Sequence, residues 1–470
     1  MVSEIAQRAT MESFQSNDEP WELPPSWCWR RLGEVSEILD NLRRPLNRTE
    51  RAARNKERPN SELIPYYGAT GRAGWIDDYL LDGDYILLGE DGAPFLDRSA
   101  SKAYAISGKA WVNNHAHILK EASGIDARFL LHALNNTDYS RWVNGTTRLK
   151  LTQAAMREIP VPCPPIDVQK QIGCRVDKLF AEIEEGESAL TDVRAGLDTY
   201  RKSLLNTAVT GNLTTDWRTS NHDLTSGSDL LRSILLERTR ERTRAASGRT
   251  DRHDDPNDVN LSNLPELPAG WTWATLRQLT ATLRNGVSKR PDADQGGVPI
   301  LRISAVRPLQ VDAKQLRWLS SNFDAEGYWV RAGDFLVTRY NGSPELVGVC
   351  GRYRALEPVV HPDKLIRLVP ASKSEDVNDF IEIALNVGAS RKFISENTKT
   401  TAGQHGVSGE TVGLTPIPLP PLRELSEIIR RVRIGLGGFR ILVDQLDTSS
   451  SPASLRQSIL AAAFRGELVR

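Results

Sequence analysis

A chain of 470 residues is too long to fold around one hydrophobic core, so two or three domains are expected. Its 60 basic and 60 acidic side chains cancel, which leaves a nucleic-acid partner open but requires acidic surface elsewhere to offset any basic face. No run of about 18 apolar residues argues for a membrane span, and four scattered cysteines (Cys28, Cys163, Cys174, Cys350) without a CxxC pair fit a reducing cytoplasm rather than a cysteine-bound zinc.

Residues 1–22 read as a polar leader that lacks the apolar segment of a secretory signal. Leu23-Pro24-Pro25-Ser26-Trp27-Cys28-Trp29 follows, with tryptophans at alternate positions, the pattern of a domain's first strand. It returns as Leu267-Pro268-Ala269-Gly270-Trp271-Thr272-Trp273. Between residues 41 and 56 arginine is dense, including Arg43, Arg44 and Arg48, and Tyr67, Thr70 and Arg72 sit in a glycine-punctuated loop soon after. Such a mix suits contact with phosphates and base edges; the competing reading is a solvated charged loop.

A turn and buried strand at 81–88 lead into Glu90-Asp91-Gly92, and the related stretch 331–337 leads into Tyr340-Asn341-Gly342. Because the repeat substitutes Tyr and Asn, Glu90 and Asp91 are not expected to be a catalytic pair. His115 and His117 share one face before a strand, but two ligands are too few for a metal and no third is apparent. Residues 127–142 read as a helix, and Arg148 and Lys150 lie in a basic loop after it.

The next stretch organises the chain. Ile172, Val176, Leu179, Ile183, Gly186, Leu190, Val193, Leu197, Tyr200 and Leu204 alternate at spacings of four and three, with charged residues between them. This is the seam of a helix that packs along another long helix, here over roughly 50 Å. A second seam runs Leu425, Ile429, Val432, Leu436, Phe439, Val443, Leu446, breaks at 449–452, and resumes with Leu455, Ile459 and Ala462. Proline-rich entries precede both, beginning at Pro160 and Pro416, and both end near a glycine, Gly211 and Gly466. About half the chain is therefore duplicated, and the two helices are expected to pack antiparallel; the plainer alternative buries each in its own domain. A helix at 228–244 carries Arg238, Arg240, Arg242 and Arg244, and 246–265 reads as an exposed linker. The second domain offers Arg284, Lys289 and Arg290 in an early loop, then Arg339, and finally Lys399 and His405 in a Gly/Thr-rich loop before the second proline entry.

In order and spacing these features resemble the DNA specificity subunit of type I restriction–modification systems. The likeness runs from Trp27 to Val469 and is strongest at Ile417-Pro418-Leu419-Pro420-Pro421-Leu422 and at residues 454–468. The resemblance implies an α+β fold of two pseudo-repeated α/β target-recognition domains separated by two long antiparallel helices, a coiled-coil spacer. The expected divisions are a leader (1–22), recognition domain 1 (23–160), central spacer helix (161–213), helix and linker (214–266), recognition domain 2 (267–416) and C-terminal spacer helix (417–470). It also implies a non-catalytic, cytoplasmic chain that reads a split site on double-stranded DNA; the roughly 50 Å spacer suits half-site centres about 10 bp apart, and loops that differ on a shared frame suit an asymmetric site. Its partners would be two methylation subunits and two restriction subunits, which would hold the S-adenosylmethionine, ATP and Mg²⁺; this chain itself binds no cofactor. Two departures are visible: Gln169 is matched by Leu425, and Gly435, Gly437 and Gly438 weaken the second helix. No methyltransferase Asn-Pro-Pro-aromatic motif, GxGxxG or GxxxxGK[ST] loop is found. An enzyme with an unrecognised motif, a fused methyltransferase or nuclease, and a protein-only scaffold are the rival readings.

Overall fold

A computed structural model describes residues 20–56, 58–221, 225–245, 263–292, 296–401, 403–447 and 451–469, excluding the side chains of residues 60, 241–245, 401, 439–441, 443–445 and 447. The chain divides into two compact units, Met1–Asp192 with Thr448–Arg470, and Val193–Asp447. The leader expected at the N-terminus falls almost wholly outside the described residues, as does most of the 246–265 linker. No helix among the described residues is long and apolar enough to cross a membrane.

Seven helices carry the argument: α1 (Ala127–Asn136), α2 (Ile166–Val209), α3 (Gly227–Ala245), α4 (Glu375–Asn386), α5 (Gly388–Glu396), α6 (Leu422–Asp447) and α7 (Pro452–Phe464). The expected helix at 127–142 stops at Asn136. Thr137 turns its hydroxyl back to the Ala133 carbonyl, and Trp142 and Val143 hydrogen-bond to the Tyr139 carbonyl in a turn. The second seam is two helices, and they fall in different units.

In the first unit, β1 (Cys28–Arg31), β2 (Ser36–Ile38), β3 (Tyr85–Gly89), β4 (Ala103–Ile106), β5 (Ala116–Glu121) and β6 (Pro160–Cys163) set the frame. Four of them form an antiparallel sheet in the order β2-β5-β3-β4. β1 pairs separately with β6, Trp29 opposite Pro162; two strands suffice there because a proline can only sit where no ladder donor is needed. α1 lies on the sheet, with Phe129 and Leu130 fully buried. α7 completes this core through Phe464, whose ring sits 5.2 Å from that of Phe129.

In the second unit the same order recurs. β7 (Thr272–Thr275) pairs with β12 (Pro416–Leu419), and β8 (Thr280–Asn285), β9 (Phe335–Thr338), β10 (Cys350–Arg352) and β11 (Leu365–Pro370) form a sheet in the order β8-β11-β9-β10. Between β8 and β9, a strand at Val298–Leu301 gives way to a short 3-10 turn, and short strands follow at Leu316–Leu319 and Trp329–Val330. The 398–409 segment, read as a loop, holds two strands, Lys399–Thr401 and Gln404–Gly406.

The proline-led helices start differently. Gln169 donates to the Pro164 carbonyl at 2.8 Å and accepts from the Asp126 backbone at 2.9 Å, tying the start of α2 to that of α1. Its counterpart Leu425 is fully buried in the apolar core, so packing replaces hydrogen bonding. The ends correspond closely. Gly211 (φ 75°) and Gly466 (φ 77°) both adopt a left-handed conformation that suits glycine. A Cβ on Gly211 would lie 2.6 Å from Pro268, and one on Gly466 would lie 2.7 Å from Pro24. Each domain's opening Pro and Trp thus close on a helix end.

Along the helices, Arg456 of α7 meets Glu187 of α2 at 2.5 Å in the first unit. In the second, a Cβ on Gly435 of α6 would lie 2.6 Å from Leu204 of α2. Arg431 of α6 donates to the Leu213 carbonyl just past the end of α2 at 2.8 Å, so within this unit α6 runs antiparallel to α2. Gly435 is therefore a close-approach residue rather than only a weak helix former, whereas Gly437 and Gly438 face open space. The seam is buried at its ends, at Ile172, Val176 and Leu204; Leu179, Ile183, Leu190 and Leu197 are half-buried, and Val193 is exposed. Leu425, Ile429 and Val432 are buried and Leu436 half-buried, while the side chain of Phe439 lies outside the described residues.

α3 is part of the second unit's core. Ile234 and Leu230 are buried, and Arg238, 7% exposed, donates from Nε to the Thr280 carbonyl at 3.0 Å. Arg240 is exposed, and the side chains of Arg242 and Arg244 lie outside the described residues.

Candidate nucleic-acid interface

Register places the candidate loops. In the first unit, Ile38, Leu119 and Ile86 form one row across β2, β5 and β3. The segment leaving β2 (residues 40–48), the loop leaving β3 (90–92) and the loop entering β5 (113–115) therefore emerge at one end of the sheet. In the second unit, Asn285, Ile366 and Val337 form the matching row. Segments 286–290, 339–342 and 362–364 emerge at the corresponding end.

The loop before each proline strand joins the same end by backbone pairing. Asp91 bridges to Lys150. In the other unit Tyr340 pairs with Gly406 and Asn341 with His405, and the latter strand pairs with Lys399–Thr401. Gly406 is needed there, because a Cβ would lie 2.4 Å from the Tyr340 ring. Lys399 and His405 are thus drawn into one small sheet that Arg339 borders, with the Thr400 hydroxyl 2.9 Å from His405 Nδ1.

Beneath the first end lies a charged pillar. His117 is fully buried, with Nδ1 2.7 Å from Asp40 and Nε2 3.0 Å from the Leu151 carbonyl. Arg43 bonds Asp40, Glu90 and the Ala116 carbonyl. Lys150 meets Glu90 at 3.0 Å. Burial alone would raise the Asp40 and Glu90 carboxyls; the hydrogen bond to His117 in one case, and those to Arg43 and Lys150 in the other, outweigh it and hold both below their usual values. The expectation that His117 lacks further ligand-type neighbours is corrected, since Asp40 and Glu90 converge on it. Arg43 and Lys150 already neutralise those carboxylates, so the set is built as an ion network. His115 is turned to a different carboxylate, Asp91, at 2.5 Å, which also holds Arg148 at 3.0 Å.

The candidates separate by environment. Arg43, with 16% of its side chain exposed, is committed to the pillar. Arg44, Arg48, Thr70, Arg72, Arg148 and Lys150 are exposed, and Tyr67 is half-buried against Tyr104. The Arg72 guanidinium lies 4.4 Å from the Trp75 ring centre, a stacked arrangement that keeps its donors outward. In the second unit Arg284, Lys289, Arg290 and Lys399 are exposed, while Arg339 and His405 are half-buried. Arg284 is held by the Gly327 carbonyl at 3.0 Å, and Arg339 stacks on Tyr340 at 4.7 Å.

Sequence reasoning missed Asp40 as the organiser of the first unit's loops, and missed Trp75 and Tyr79, exposed aromatics beside Arg72 and Lys109. One arginine followed by two aromatics, Arg72, Trp75 and Tyr79, was the available signal.

The family described as Type I restriction modification DNA specificity domain matches residues 24–190. The chain is 32% identical over 351 residues to the EcoKI specificity subunit of Escherichia coli K12, covering 74% of this chain and 66% of that relative.

The chain belongs to the specificity subunits of type I restriction–modification systems.

A second specificity-subunit relative, the putative S.HindORF215P of Haemophilus influenzae, is 36% identical over 157 residues, 33% of this chain and 38% of that one. The fold is shared with a solved chain from work on complex assembly and conformational transition of the type I R-M system: TM-score 0.55 at 17% identity, covering 95% of this chain and 100% of that chain. The chain spans about two thirds of the length of its EcoKI relative.

Proposed function

We propose that this specificity subunit reads a two-part site on double-stranded DNA, one half per unit, and performs no chemistry itself. One observation carries the reading: two sheets of identical order present arginine, lysine and tyrosine loops at corresponding ends, with different side chains in corresponding places. A shared frame with divergent loops suits an asymmetric site. The exposed cations supply phosphate contacts that fix register, and the tyrosine, threonine and histidine side chains supply base-edge contacts. Methylation subunits, and restriction subunits in the full complex, would hold the S-adenosylmethionine, ATP and Mg²⁺. The exposed apolar residues Val193, Tyr200, Ile434 and Leu442 on the second unit's helices are suited to docking such subunits. A cytoplasmic location fits a DNA partner.

The test is to express the chain with its methylation subunit and map modified adenines genome-wide. A split, asymmetric motif with a fixed gap supports the reading. DNA cleavage or methyl transfer by the purified chain alone would overturn it.

A further inference from the structure

The two units share a sheet but differ beside it. In the second unit α4 is followed by α5, whose first turn fills the angle between β12 and the end of α2. There the Ser390 hydroxyl donates to the Pro416 carbonyl at 2.5 Å, and a Cβ on Gly388 would lie 2.8 Å from Val209. In the first unit α1 is followed only by a turn before the short strand at Val143. The matching angle, between Pro160 of β6 and α7, is a cavity of about 600 Å³.

That cavity is cationic. Arg98, Lys102, Arg141 and Arg465 line it, against a single acid, Asp138, which pairs with Arg98 at 2.8 Å. Arg141 and Arg465 are exposed and have no acidic partner among the described residues. Lys102 is 2% exposed, and its ammonium donates to the Asp97 carbonyl at 2.6 Å. Trp21 and Trp142 add apolar wall.

We propose that this cavity seats a helix from a partner protein, one that presents an acidic face to Arg141 and Arg465 and an apolar side chain to the tryptophans. The second unit fills the equivalent place with a helix of its own, so the space left in the first has the shape of a helix turn. Its charge selects an acidic one, and its concave, aromatic-walled form suits helix-in-groove docking better than a flat phosphate track. On the reading above, which this proposal rests on, the partner is the methylation subunit.

The test uses the full chain and its cognate methylation subunit. Arg141→Glu with Arg465→Glu should weaken association at least ten-fold by calorimetry, and Arg141→Gln with Arg465→Gln should give an intermediate loss. Thermal unfolding and retention of duplex DNA should match the wild type in both. The milder pair guards against misfolding of the first. Unchanged association in either pair overturns the proposal, as does a loss that falls on duplex binding instead, which would make the cavity a phosphate site. A wild-type chain that joins no methylation subunit removes this proposal and the functional reading together; association indifferent to these charges removes this proposal alone.

Discussion

The indole N–H of Trp271 donates to Glu424 at 3.0 Å, joining the first residues of the second unit's sheet domain to the first turn of α6. Glu424 is 2% exposed and also accepts from Thr214 at 2.7 Å and from Arg218 at 2.7 Å and 3.0 Å. One carboxylate therefore holds together the end of α2, the start of the domain and the start of α6. Glu424→Ala leaves the Trp271 indole N–H without its acceptor and the Arg218 guanidinium with the Gly211 carbonyl but no carboxylate. A loss of about 3 kcal/mol is expected, read as a lowered urea midpoint. Glu424→Gln keeps the shape and should lose less.

Gly211→Ala should also destabilise the second unit, by roughly 1–3 kcal/mol. It combines a left-handed φ of 75° with a Cβ placed 2.6 Å from Pro268 and 3.0 Å from Trp271. Gly437→Ala, where a Cβ meets nothing within 4 Å, should be neutral or slightly stabilising. Equilibrium denaturation of the two variants side by side checks the contrast.

His361 gives the second unit a pH dependence. Burial pulls its imidazole down from 6.5 to about 4, against the Tyr328 and Arg284 carbonyls, which favour the charged form. Between those values the unfolded chain binds a proton that the folded chain refuses, so stability falls as pH falls. From pH 7 to pH 4 this side chain should account for a loss of about 3 kcal/mol. The difference between wild type and His361→Gln, measured across that range, isolates it. Equal slopes for the two proteins would exclude the effect.

Two arginines of the first unit should behave oppositely. Arg72→Ala should weaken duplex binding and lower the slope of log affinity against log salt by about 1, with stability unchanged. Arg43→Ala should unfold the unit more readily, by roughly 3 kcal/mol, because Asp40 and Glu90 lose the cation that neutralises them. Titration of labelled duplex at several salt concentrations, together with a denaturant melt of each variant, separates the two roles.

Much of this was legible in the chain. The duplication, the proline entries and the glycines at 211 and 466 are local signals that recur at fixed spacing, and the structure gives each a counterpart. What the sequence concealed was long-range. Nothing near Arg43 tells that Asp40, Glu90 and His117 converge on it, since that depends on sheet register across about 80 residues. Likewise, 3.5-residue periodicity marked Val193 as a seam position, yet it is 49% exposed, because periodicity records a face without recording what covers it. Lys399 and His405 were read as loop because Gly and Thr dominate there; pairing of His405 with Asn341 and of Lys399 with Gly406 makes strands of them.

The matched closures at Gly211 and Gly466 give each unit the same lock, a helix end seated on the Pro and Trp that open its sheet domain. The end of α7 rests on Pro24 and Trp27 as the end of α2 rests on Pro268 and Trp271. A bulkier residue at either glycine should therefore loosen the unit it closes and leave the other unit's closure intact.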